Sequence, residues 1–575
     1  HRMAKDYNIT LTNGKVKRNR LRNAIIAVVL AIIAVAIVIT LIVVSLQQQT
    51  DPAFDSAGDP LKYFKLDDAM KVTWYHGANS KAQIQEALAG NYKMIEGDIV
   101  YRYQGLTNQT SELIMAHPPN IDSDLTLSEW LNDILNRNDK APKLDFKNEE
   151  VVAPSLQMLK AKGKKVSQPV WVNADLVKGP GGDAPNFNAA RFFTAVNTHF
   201  PRVTLSLGWT TSHGYNYTKQ HIESLWQLIQ NVTQPITFPA RASSFKYAWT
   251  HFKWLLGKSN GYTITAWTPA SAEVSWEGAD PYDLLYVRND CDKKKIYYDL
   301  KGPKYVIFQQ LAETAGSLFN YLPGLAAERD GVKVTWAHAA NSKQQLKNAL
   351  NSEVMMLEAD VLLRGQGTAN QTDIPIMAHP PLIDSDNTLE EWLKSVIPSN
   401  KGIKLDFKSI EVFEPSLKIL NNSKTNLKRP VWINADILAG PNGKAQPVNA
   451  TEFKRLVLKY FPECTLSIGW TTGYNNSGVN EIYTRGMVQE MADYAKEFKQ
   501  PITFPIRASL VKASWENLSY LLDQSRSYTL TIWSSKNDNV NSDDMVYVRN
   551  NYDIDRIYYD LPEPLLSDFL RKIKK

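Results

Sequence analysis

The chain contains two copies of one sequence, and this repeat constrains its fold more than any other feature. The phrase Val72-Thr-Trp returns as Val334-Thr-Trp, and Tyr297-Tyr-Asp returns as Tyr558-Tyr-Asp. A period of about 260 residues is far too long for one unit of a solenoid, so each copy must be a domain. The 575 residues therefore predict two large domains, each with its own core.

Each copy alternates between short apolar or β-branched runs and longer segments, several of which have helical spacing. In the first copy the runs span 71–76, 93–100, 143–147, 169–175, 203–209, 235–241, 262–267 and 295–300. Pro303, and in the second copy Pro562, follow the eighth run as start signals for a helix. Eight such alternations predict an α/β fold, a (β/α)₈ TIM-like barrel in each copy. A doubly wound open sheet is the alternative.

Ala24–Leu46 contains no charged residue. At 1.5 Å per residue a helix here would reach ~34 Å, enough to cross a hydrocarbon core of ~30 Å. A buried helix or a signal peptide is the alternative, but the apolar region of a signal peptide has only about 7–15 residues. Basic residues precede the segment and acidic residues follow it, which predicts a cytoplasmic N-terminus and barrels outside the cell or in the lumen.

The predicted organisation is a signal-anchored, single-pass protein of the plasma membrane or secretory pathway, with a shed form allowed. Its segments are a basic cytoplasmic tail at 1–23, a transmembrane helix at 24–46, a juxtamembrane linker at 47–69, barrel one at 70–325 and barrel two at 326–575. Glycosylation sequons on the barrel side begin at Asn108, Asn216, Asn231, Asn370, Asn421, Asn449, Asn475 and Asn517.

The basic excess of the chain is confined to its N-terminus. Residues 1–23 hold seven Lys or Arg and one Asp, and the rest of the chain holds 58 basic and 58 acidic residues. A neutral body gains little from counterion release, so nucleic acid is not an expected partner. The two cysteines, Cys291 and Cys464, exclude a disulfide scaffold and a Cys-rich zinc module.

Acidic and histidine residues follow the predicted strands of both copies. Glu96 and Asp98 are two residues apart, so both side chains point to one face, and Asp145 and Lys147 do the same on the next run. The histidines that recur at the repeat period are His76, His117, His338 and His379. Because the active sites of TIM barrels lie at the carboxyl ends of the strands, these residues are expected to meet at the barrel mouth.

This combination of residues favours phosphodiester chemistry. Converging carboxylates repel one another unless a cation lies between them, and oxygen ligands favour Mg²⁺ or Ca²⁺, one per barrel. Two histidines beside the cation suit acid–base catalysis, and a lysine suits a phosphate oxygen. The alternative is a buried polar network that stabilises the fold without chemistry.

Three phrases are similar to the menorin family: Thr73-Trp-Tyr-His-Gly-Ala-Asn-Ser-Lys, Met115-Ala-His-Pro-Pro and Lys143-Leu-Asp-Phe-Lys. Each copy also resembles the glycerophosphodiester phosphodiesterase and phospholipase-C-like barrels, although Gly77-Ala78 replaces their Arg-Gly and Pro118-Pro119 follows the second histidine. The menorin resemblance covers nearly all of 70–300 and 332–561. It implies cell-surface proteins linked to intercellular signalling and adhesion complexes.

The phosphodiesterase resemblance implies a role for each matching residue. The implied metal ligands are Glu96, Asp98, Asp145, Glu358, Asp360 and Asp406, with Asn79 and Asn341 as further candidates. The implied catalytic residues are His76, His117, Lys147, His338, His379 and Lys408. Further repeated residues assigned to a substrate pocket are Trp267, Trp533, Asp175, Asp436, Arg241 and Arg507.

Two hypotheses from different classes follow. Each barrel is a metal-dependent phosphodiesterase that acts on an extracellular phosphodiester or a lysolipid, or the tandem barrels are a non-catalytic ligand for a cell-surface receptor or adhesion protein. Retention of the whole residue set in both copies favours the enzyme, and the menorin resemblance favours the ligand.

Overall fold

The computed structural model describes residues 58–269, 279–326 and 328–574. The predicted cytoplasmic tail, the predicted transmembrane helix and residues 47–57 of the predicted linker lie outside the described residues. No helix within the described ranges is both long enough and apolar enough to span a bilayer.

Each copy forms a nearly closed barrel of eight parallel strands, as the alternating pattern predicts. The strands of barrel one are β1 (Trp74–Tyr75), β2 (Met94–Tyr101), β4 (Ala141–Phe146), β5 (Trp171–Lys178), β6 (Thr204–Thr210), β7 (Ile236–Arg241), β8 (Tyr262–Trp267) and β9 (Ile296–Asp299). Those of barrel two are β10 (Trp336–Ala337), β11 (Met356–Leu363), β13 (Gly402–Phe407), β14 (Val431–Ala439), β15 (Thr465–Thr471), β16 (Ile502–Arg507), β17 (Tyr528–Trp533) and β18 (Ile557–Asp560).

A ninth strand in each copy was not among the predicted runs. β3 (Leu113–Met115) pairs antiparallel with β2, and β12 (Pro375–Met377) pairs in the same way with β11. These strands are only three residues long and fully buried, so they show no alternation that could mark them as strands. Each of these strands leads directly to the second repeated histidine, and the residue before that histidine donates its N–H to the carbonyl of Asp98 in barrel one and of Asp360 in barrel two.

Helices surround both sheets. In barrel one they are α1 (Pro60–Tyr63), α2 (Lys81–Ala89), α3 (Leu127–Leu135), α4 (Val152–Ala161), α5 (Ala189–His199), α6 (Lys219–Ile229), α7 (Ala242–Phe245), α8 (Trp249–Leu256), α9 (Pro281–Asn289) and α10 (Pro303–Thr314). The following ones are α11 (Leu318–Tyr321), α12 (Lys343–Leu350), α13 (Leu389–Val396), α14 (Phe413–Asn422), α15 (Ala450–Tyr460), α16 (Arg485–Ala495), α17 (Ala508–Val511), α18 (Trp515–Asp523), α19 (Ser542–Asn550) and α20 (Leu565–Ile573).

Proline starts the helix after the eighth strand in only one copy. Pro303 is the first residue of α10, as predicted. In the second copy α20 begins at Leu565, with Pro564 at its N-cap, so the prediction for Pro562 is wrong by one helical turn. Pro564 lacks an N–H, and its ring disfavours a helical conformation for the residue before it. The helix therefore does not start at Pro562.

The segment that precedes each barrel closes the floor of that barrel, the end opposite the mouth. Leu61 of α1 packs against Trp74, Trp171 and Tyr297 under the first sheet. Leu318 and Phe319 of α11 belong to the equivalent cluster under the second sheet, with Val334, Met356, Trp432 and Tyr558. Each barrel core therefore includes apolar residues from the connection that leads into it.

The first and last strands of each barrel are joined by side chains rather than by a ladder of backbone hydrogen bonds. The ladders run from β1 through to β9 without a pairing that returns to β1. The rings of Trp74 and Tyr297 meet across this seam with centroids 6.5 Å apart, near the floor. At the mouth, Nδ1 of His76 lies 2.7 Å from Oδ2 of Asp299. This hydrogen bond and the ring contact close the barrel.

The floor of barrel two gives a first prediction. Phe319 is 1% exposed and stacks on Tyr558 with centroids 5.7 Å apart. Replacing it with Ala should lower the free energy of unfolding of barrel two by ~3–5 kcal/mol, because the change leaves a cavity under the sheet. Denaturant-dependent hydrogen exchange should show the loss in β10–β18 and little change in β1–β9. Ile307→Ala, at a side chain 43% exposed, is the control. Equal effects of the two variants would contradict the role of α11.

Candidate functional site

The seam of barrel one places an imidazole between two buried carboxylates. His76 follows β1, Asp299 ends β9, and Oε2 of Glu96 on β2 is 3.2 Å from the same Nδ1 that bonds Asp299. Carboxylates only accept, so Nδ1 carries the proton. Burial alone would lower the pKa of His76, but Asp299 and Glu96 outweigh it and hold that pKa well above its usual value. His76 is therefore an imidazolium at neutral pH.

Two lysines balance the remaining carboxylates of barrel one. Nζ of Lys143 lies 3.0 Å from Oε1 of Glu96, and both side chains are buried. Burial would raise the pKa of Glu96, but Lys143 and His76 together hold it well below the usual range. Nζ of Lys147 lies 2.6 Å from an oxygen of Asp98 and 2.6 Å from one of Asp145. The structure thus joins all three predicted metal ligands to cationic side chains.

Asn79 fixes the orientation of Asp98. Its Nδ2 donates to Oδ2 of Asp98 at 2.6 Å, and its Oδ1 accepts from the backbone N–H of Asp98 at 2.9 Å. Asn341 and Asp360 repeat the same pair of hydrogen bonds in barrel two. Both ends of this amide are therefore used in holding the aspartate, and its role as a cation ligand stays a prediction.

A chain of hydrogen bonds continues along the strand ends. Nδ2 of Asn173 donates to Oδ1 of Asp145 at 2.9 Å, and Oγ of Ser206 donates to Oδ1 of Asn173 at 2.5 Å. Asp175 lies two residues further along β5, next to a shift in strand register. Burial, with a smaller contribution from Asp145, raises the pKa of Asp175 to about 7. This carboxyl can therefore gain or lose a proton near neutral pH.

In barrel two the three predicted ligands converge more closely. Each of Glu358, Asp360 and Asp406 offers an oxygen that lies within 4.8 Å of the other two. Glu358 accepts from the backbone N–H of Ala339 at 2.7 Å, and Nδ1 of His338 is 3.6 Å away. Burial and the neighbouring Asp360 raise the pKa of Glu358 to about 7. The carboxylates here repel one another more than those of barrel one do.

The turn after the first strand differs between the copies. Gly77 has φ 74° in barrel one, and Ala339 has φ 54° at the matching position of barrel two. A left-handed conformation costs a residue with a side chain of the order of 1–2 kcal/mol. In return, the turn directs the N–H of Ala339 at Glu358, so the strained residue is in direct contact with the cluster.

In each copy the second repeated histidine bonds to a backbone carbonyl and not to a carboxylate. His117 is exposed, and its Nδ1 lies 2.6 Å from the carbonyl oxygen of Pro118. His379 makes the same contact with Pro380. A carbonyl only accepts, so Nδ1 is the protonated nitrogen and Nε2 faces away with a lone pair when the ring is neutral. The sequence predicted two histidines beside a cation, and the structure joins only the first to the carboxylate cluster.

An arginine stacks on a tryptophan at the other side of each mouth. The guanidinium carbon of Arg241 is 4.6 Å from the ring centroid of Trp267, and that of Arg507 is 5.2 Å from Trp533. Arg507 also forms a two-pronged ion pair with Asp538, through distances of 2.7 and 2.6 Å. These predicted pocket residues are therefore close together, and in barrel two the arginine is held by a fixed counter-ion.

The sequence analysis missed three pairs of residues in these clusters. They are Asp299 and Asp560, Lys143 and Lys404, and Asn173 and Asn434. All three pairs are part of the repeated phrases, so repetition could have identified them. The phosphodiesterase resemblance implies no role for them.

Most predicted glycosylation sites are accessible. The asparagines at the other seven sequons are exposed, whereas Asn517 is half-buried and its Nδ2 donates to the carbonyl of Tyr483 at 2.9 Å. Glycosylation stays a prediction, with Asn517 the least suitable site.

The donor set of barrel two fits a hard divalent cation. Its oxygen donors lie within reach of a single ion, and the raised pKa of Glu358 reflects negative charge that an ion would offset. In barrel one the ligand atoms that lie within 4.8 Å of one another belong to His76, Glu96 and Asp299, and hydrogen bonding already joins them. The fit to a cation is therefore better in barrel two.

Comparisons with known proteins confirm one of the two resemblances. The family model described as the menorin N-terminal domain matches residues 68–304 and 330–566. Human Protein FAM151B is 51% identical over 244 residues, which is 42% of this chain and 88% of that protein. The resemblance to phosphodiesterases rests on the sequence motifs alone.

The solved structures share little with the whole chain. An L-ribulose 3-epimerase overlaps 40% of this chain and 82% of its own at a TM-score of 0.27 and 9% identity. Prevotella bryantii endo-beta-mannanase/endo-beta-glucanase PbGH26A-GH5A overlaps 90% of this chain and 98% of its own at a TM-score of 0.30 and 9% identity. Scores this low carry no functional argument.

The seam of barrel two gives a titration prediction. Partial desolvation alone would lower the pKa of His338, but Glu358 and Asp560 raise it to about 9. Asp560→Asn should lower that pKa toward the usual ~6.5, because it removes a charge that stabilises the imidazolium. NMR titration of the ring proton measures the shift, and His199, half-buried on α5 of barrel one, is an internal control. An unchanged value would show that Asp560 does not act on His338.

The same raised pKa links stability to pH. A group whose pKa is higher in the folded state stabilises that state fully below its unfolded pKa and loses this effect as pH rises through the folded value. The contribution of His338 should thus disappear between pH ~6.5 and about 9. In Asp560→Asn the melting temperature should depend less on pH across that window.

Proposed function

The chain belongs to the menorin family, and on that premise we propose that its two barrel mouths bind divalent cations and cleave a phosphodiester. The observation that carries this proposal is the cluster of Glu358, Asp360 and Asp406, whose oxygens lie within 4.8 Å of one another. Lys408 pairs with Asp360 at 2.9 Å and with Asp406 at 2.5 Å, yet the pKa of Glu358 beside them is still raised to about 7. A divalent cation among the carboxylates would offset this remaining negative charge. Oxygen donors of this kind suit Mg²⁺ or Ca²⁺.

The charge of the mouth suits an anionic substrate once a cation is bound. In barrel one the carboxylates of Glu96, Asp98, Asp145 and Asp299 face three cationic side chains, those of His76, Lys143 and Lys147. One negative charge remains when these groups are ionised and Asp175 is protonated. A divalent cation would turn this excess into one positive charge, which a phosphodiester monoanion would neutralise.

The histidines then have complementary tasks. The imidazolium of His76 donates a proton to the departing alkoxide as its bond to phosphorus breaks. Nε2 of His117 removes the proton from the attacking hydroxyl, which belongs to water or to the substrate itself, as the new bond forms. The ammonium group of Lys147 breaks its ion pair with one of the two aspartates and binds a phosphate oxygen. A bound cation would polarise the phosphoryl group. His338, His379 and Lys408 have the same roles in barrel two.

The second candidate is a non-catalytic ligand for a cell-surface receptor or adhesion protein. A specific observation favours it: Lys147 bridges Asp98 and Asp145 at 2.6 Å each, so these carboxylates are already neutralised by the protein itself. In that case the mouths are polar networks that stabilise the barrels, and the outer surface makes the functional contacts.

Both candidates place the barrels outside the cell or in the lumen. The uncharged segment at 24–46, with basic residues before it and acidic residues after it, supports a single-pass anchor of this orientation. Exposed asparagines at seven of the eight sequons are compatible with passage through the secretory pathway.

Cation binding can be measured without knowing the substrate. A ligand that binds only the folded state stabilises it by ~2.7 kcal/mol at 100 times its dissociation constant. Mg²⁺ or Ca²⁺ should therefore raise the melting temperature of the wild type. The double variant Asp98→Asn, Asp360→Asn should lose this rise because it removes a ligand from each mouth. Isothermal titration with the same ions gives an independent measure of the stoichiometry.

A matched variant separates binding from chemistry. His117→Ala, His379→Ala should keep the metal-dependent rise, since Nδ1 of each exposed ring bonds a backbone carbonyl and not a carboxylate, but should lose phosphodiesterase turnover. Bis(p-nitrophenyl) phosphate and a lysophospholipid are the two probe substrates. Metal binding without turnover on either probe would favour the ligand hypothesis. A melting temperature that responds to neither divalent cations nor chelators would contradict the cation and the chemistry together.

A further inference from the structure

The floor of barrel one carries an aromatic patch with a lysine at its centre. Trp226 on α6 and Trp254 on α8 meet edge to face with centroids 5.3 Å apart. Nζ of Lys258 lies 4.9 Å from the first ring centroid and 4.4 Å from the second. Trp254 is 37% exposed and the neighbouring Leu228 is 44% exposed. We call Trp226, Leu228, Trp254 and Lys258 the floor patch.

The floor patch lies where the described chain enters the barrel. α6 and α8 both run toward the floor, and the loops that follow them line a cavity of about 600 Å³ together with Gly58, Asp59, Pro60 and Leu61. Oγ1 of Thr204 donates to the carbonyl of Gly58 at 2.8 Å, which fixes this entry point. Gly58, the first described residue, therefore lies on the side of the floor that carries the floor patch.

The floor of barrel two has different residues at the positions of the floor patch. The positions of Trp226, Trp254 and Lys258 are occupied by Ala492, Tyr520 and Gln524. Part of the floor of barrel two is covered by barrel one: the hydroxyl of Tyr282 donates to the carbonyl of Pro462 at 3.3 Å, and Asp280 pairs with Lys499 at 2.5 Å. In this copy the floor is a protein contact, and it lacks the tryptophans and the lysine.

We propose that the floor patch lies against the membrane that anchors the chain, in contact with phospholipid headgroups. The inference rests on the proposed transmembrane segment at 24–46. Only residues 47–57 separate that segment from Gly58, so the floor cannot be farther than ~40 Å from the bilayer surface even if they are fully extended. A membrane is thus the one large surface that the chain itself brings to this end of barrel one.

The chemistry of the floor patch matches the headgroup region. Tryptophan favours the membrane–water interface because its ring is apolar and its indole N–H is a donor. A lysine beside such rings can keep its ammonium group at phosphate level while its methylene chain remains in apolar surroundings. The mouth of barrel one then opens away from the bilayer, so its substrate would be a soluble phosphodiester or one presented by a facing surface.

Lipid-borne quenching in the anchored full-length chain tests the contact. Gln227→Cys and Asn260→Cys place a fluorophore on either side of the floor patch without altering it, and both sites are exposed. In phosphatidylcholine nanodiscs that contain a headgroup nitroxide lipid, both labels should lose most of their emission. Leu106→Cys, at a side chain 53% exposed on the loop after β2 at the opposite end, should retain its emission. Adding Lys258→Glu should weaken the quenching at position 260.

The outcomes separate this contact from the anchor itself. Two reporters protect the test against one variant that fails to fold, and wild type treated with the same label corrects for Cys291 and Cys464. If the chain resists alkaline extraction but labels 227 and 260 are quenched no more than label 106, the floor contact is wrong and the anchor stands. If extraction releases the chain, both proposals are wrong. Labels shielded from the nitroxide lipid and from a water-soluble quencher would indicate a protein partner and overturn the membrane contact.

Discussion

The hydrogen bond between a histidine after the first strand and an aspartate at the end of the last one is the contact on which each mouth depends. A parallel barrel needs its first and last strands side by side, yet β1 and β10 have only two residues each and the ladder of hydrogen bonds does not close. His76 and Asp299, at 2.7 Å, and His338 and Asp560, at 3.0 Å, span the gap with a charge-assisted bond.

This bond also determines the protonation of its neighbours. An imidazolium at the seam stabilises the buried Glu96 as an anion, and Glu96 in turn accepts from Lys143 inside the barrel. Loss of Asp299 would leave Glu96 as the remaining acidic partner of the half-buried His76 and remove the bond that joins the first strand to the last. Closure of the fold and electrostatics of the mouth therefore depend on the same atoms.

The fold was largely predictable from sequence because its signals are local. Eight apolar runs of about six residues, with helical spacing between them, determine a (β/α)₈ barrel once the repeat sets the domain size. The carboxylate cluster was predictable for the same reason, since Glu96 and Asp98 share a face through strand alternation alone. The contact between the first and last strands was harder to predict, because His76 and Asp299 are far apart in sequence and only barrel closure brings them together. The separation of His117 from the cluster depends on the β3 hairpin, which has no recognisable sequence pattern.

The position of the seam residues has a consequence for synthesis on the ribosome. The floor segment of each barrel is made before its strands, so α1 or α11 is available as soon as β1 or β10 emerges. The aspartate that closes the seam lies on the last strand and is made after every other residue of the mouth. The complete site can therefore form only when the final strand is in place. Completion of the mouth thus marks the end of barrel assembly, once in each copy.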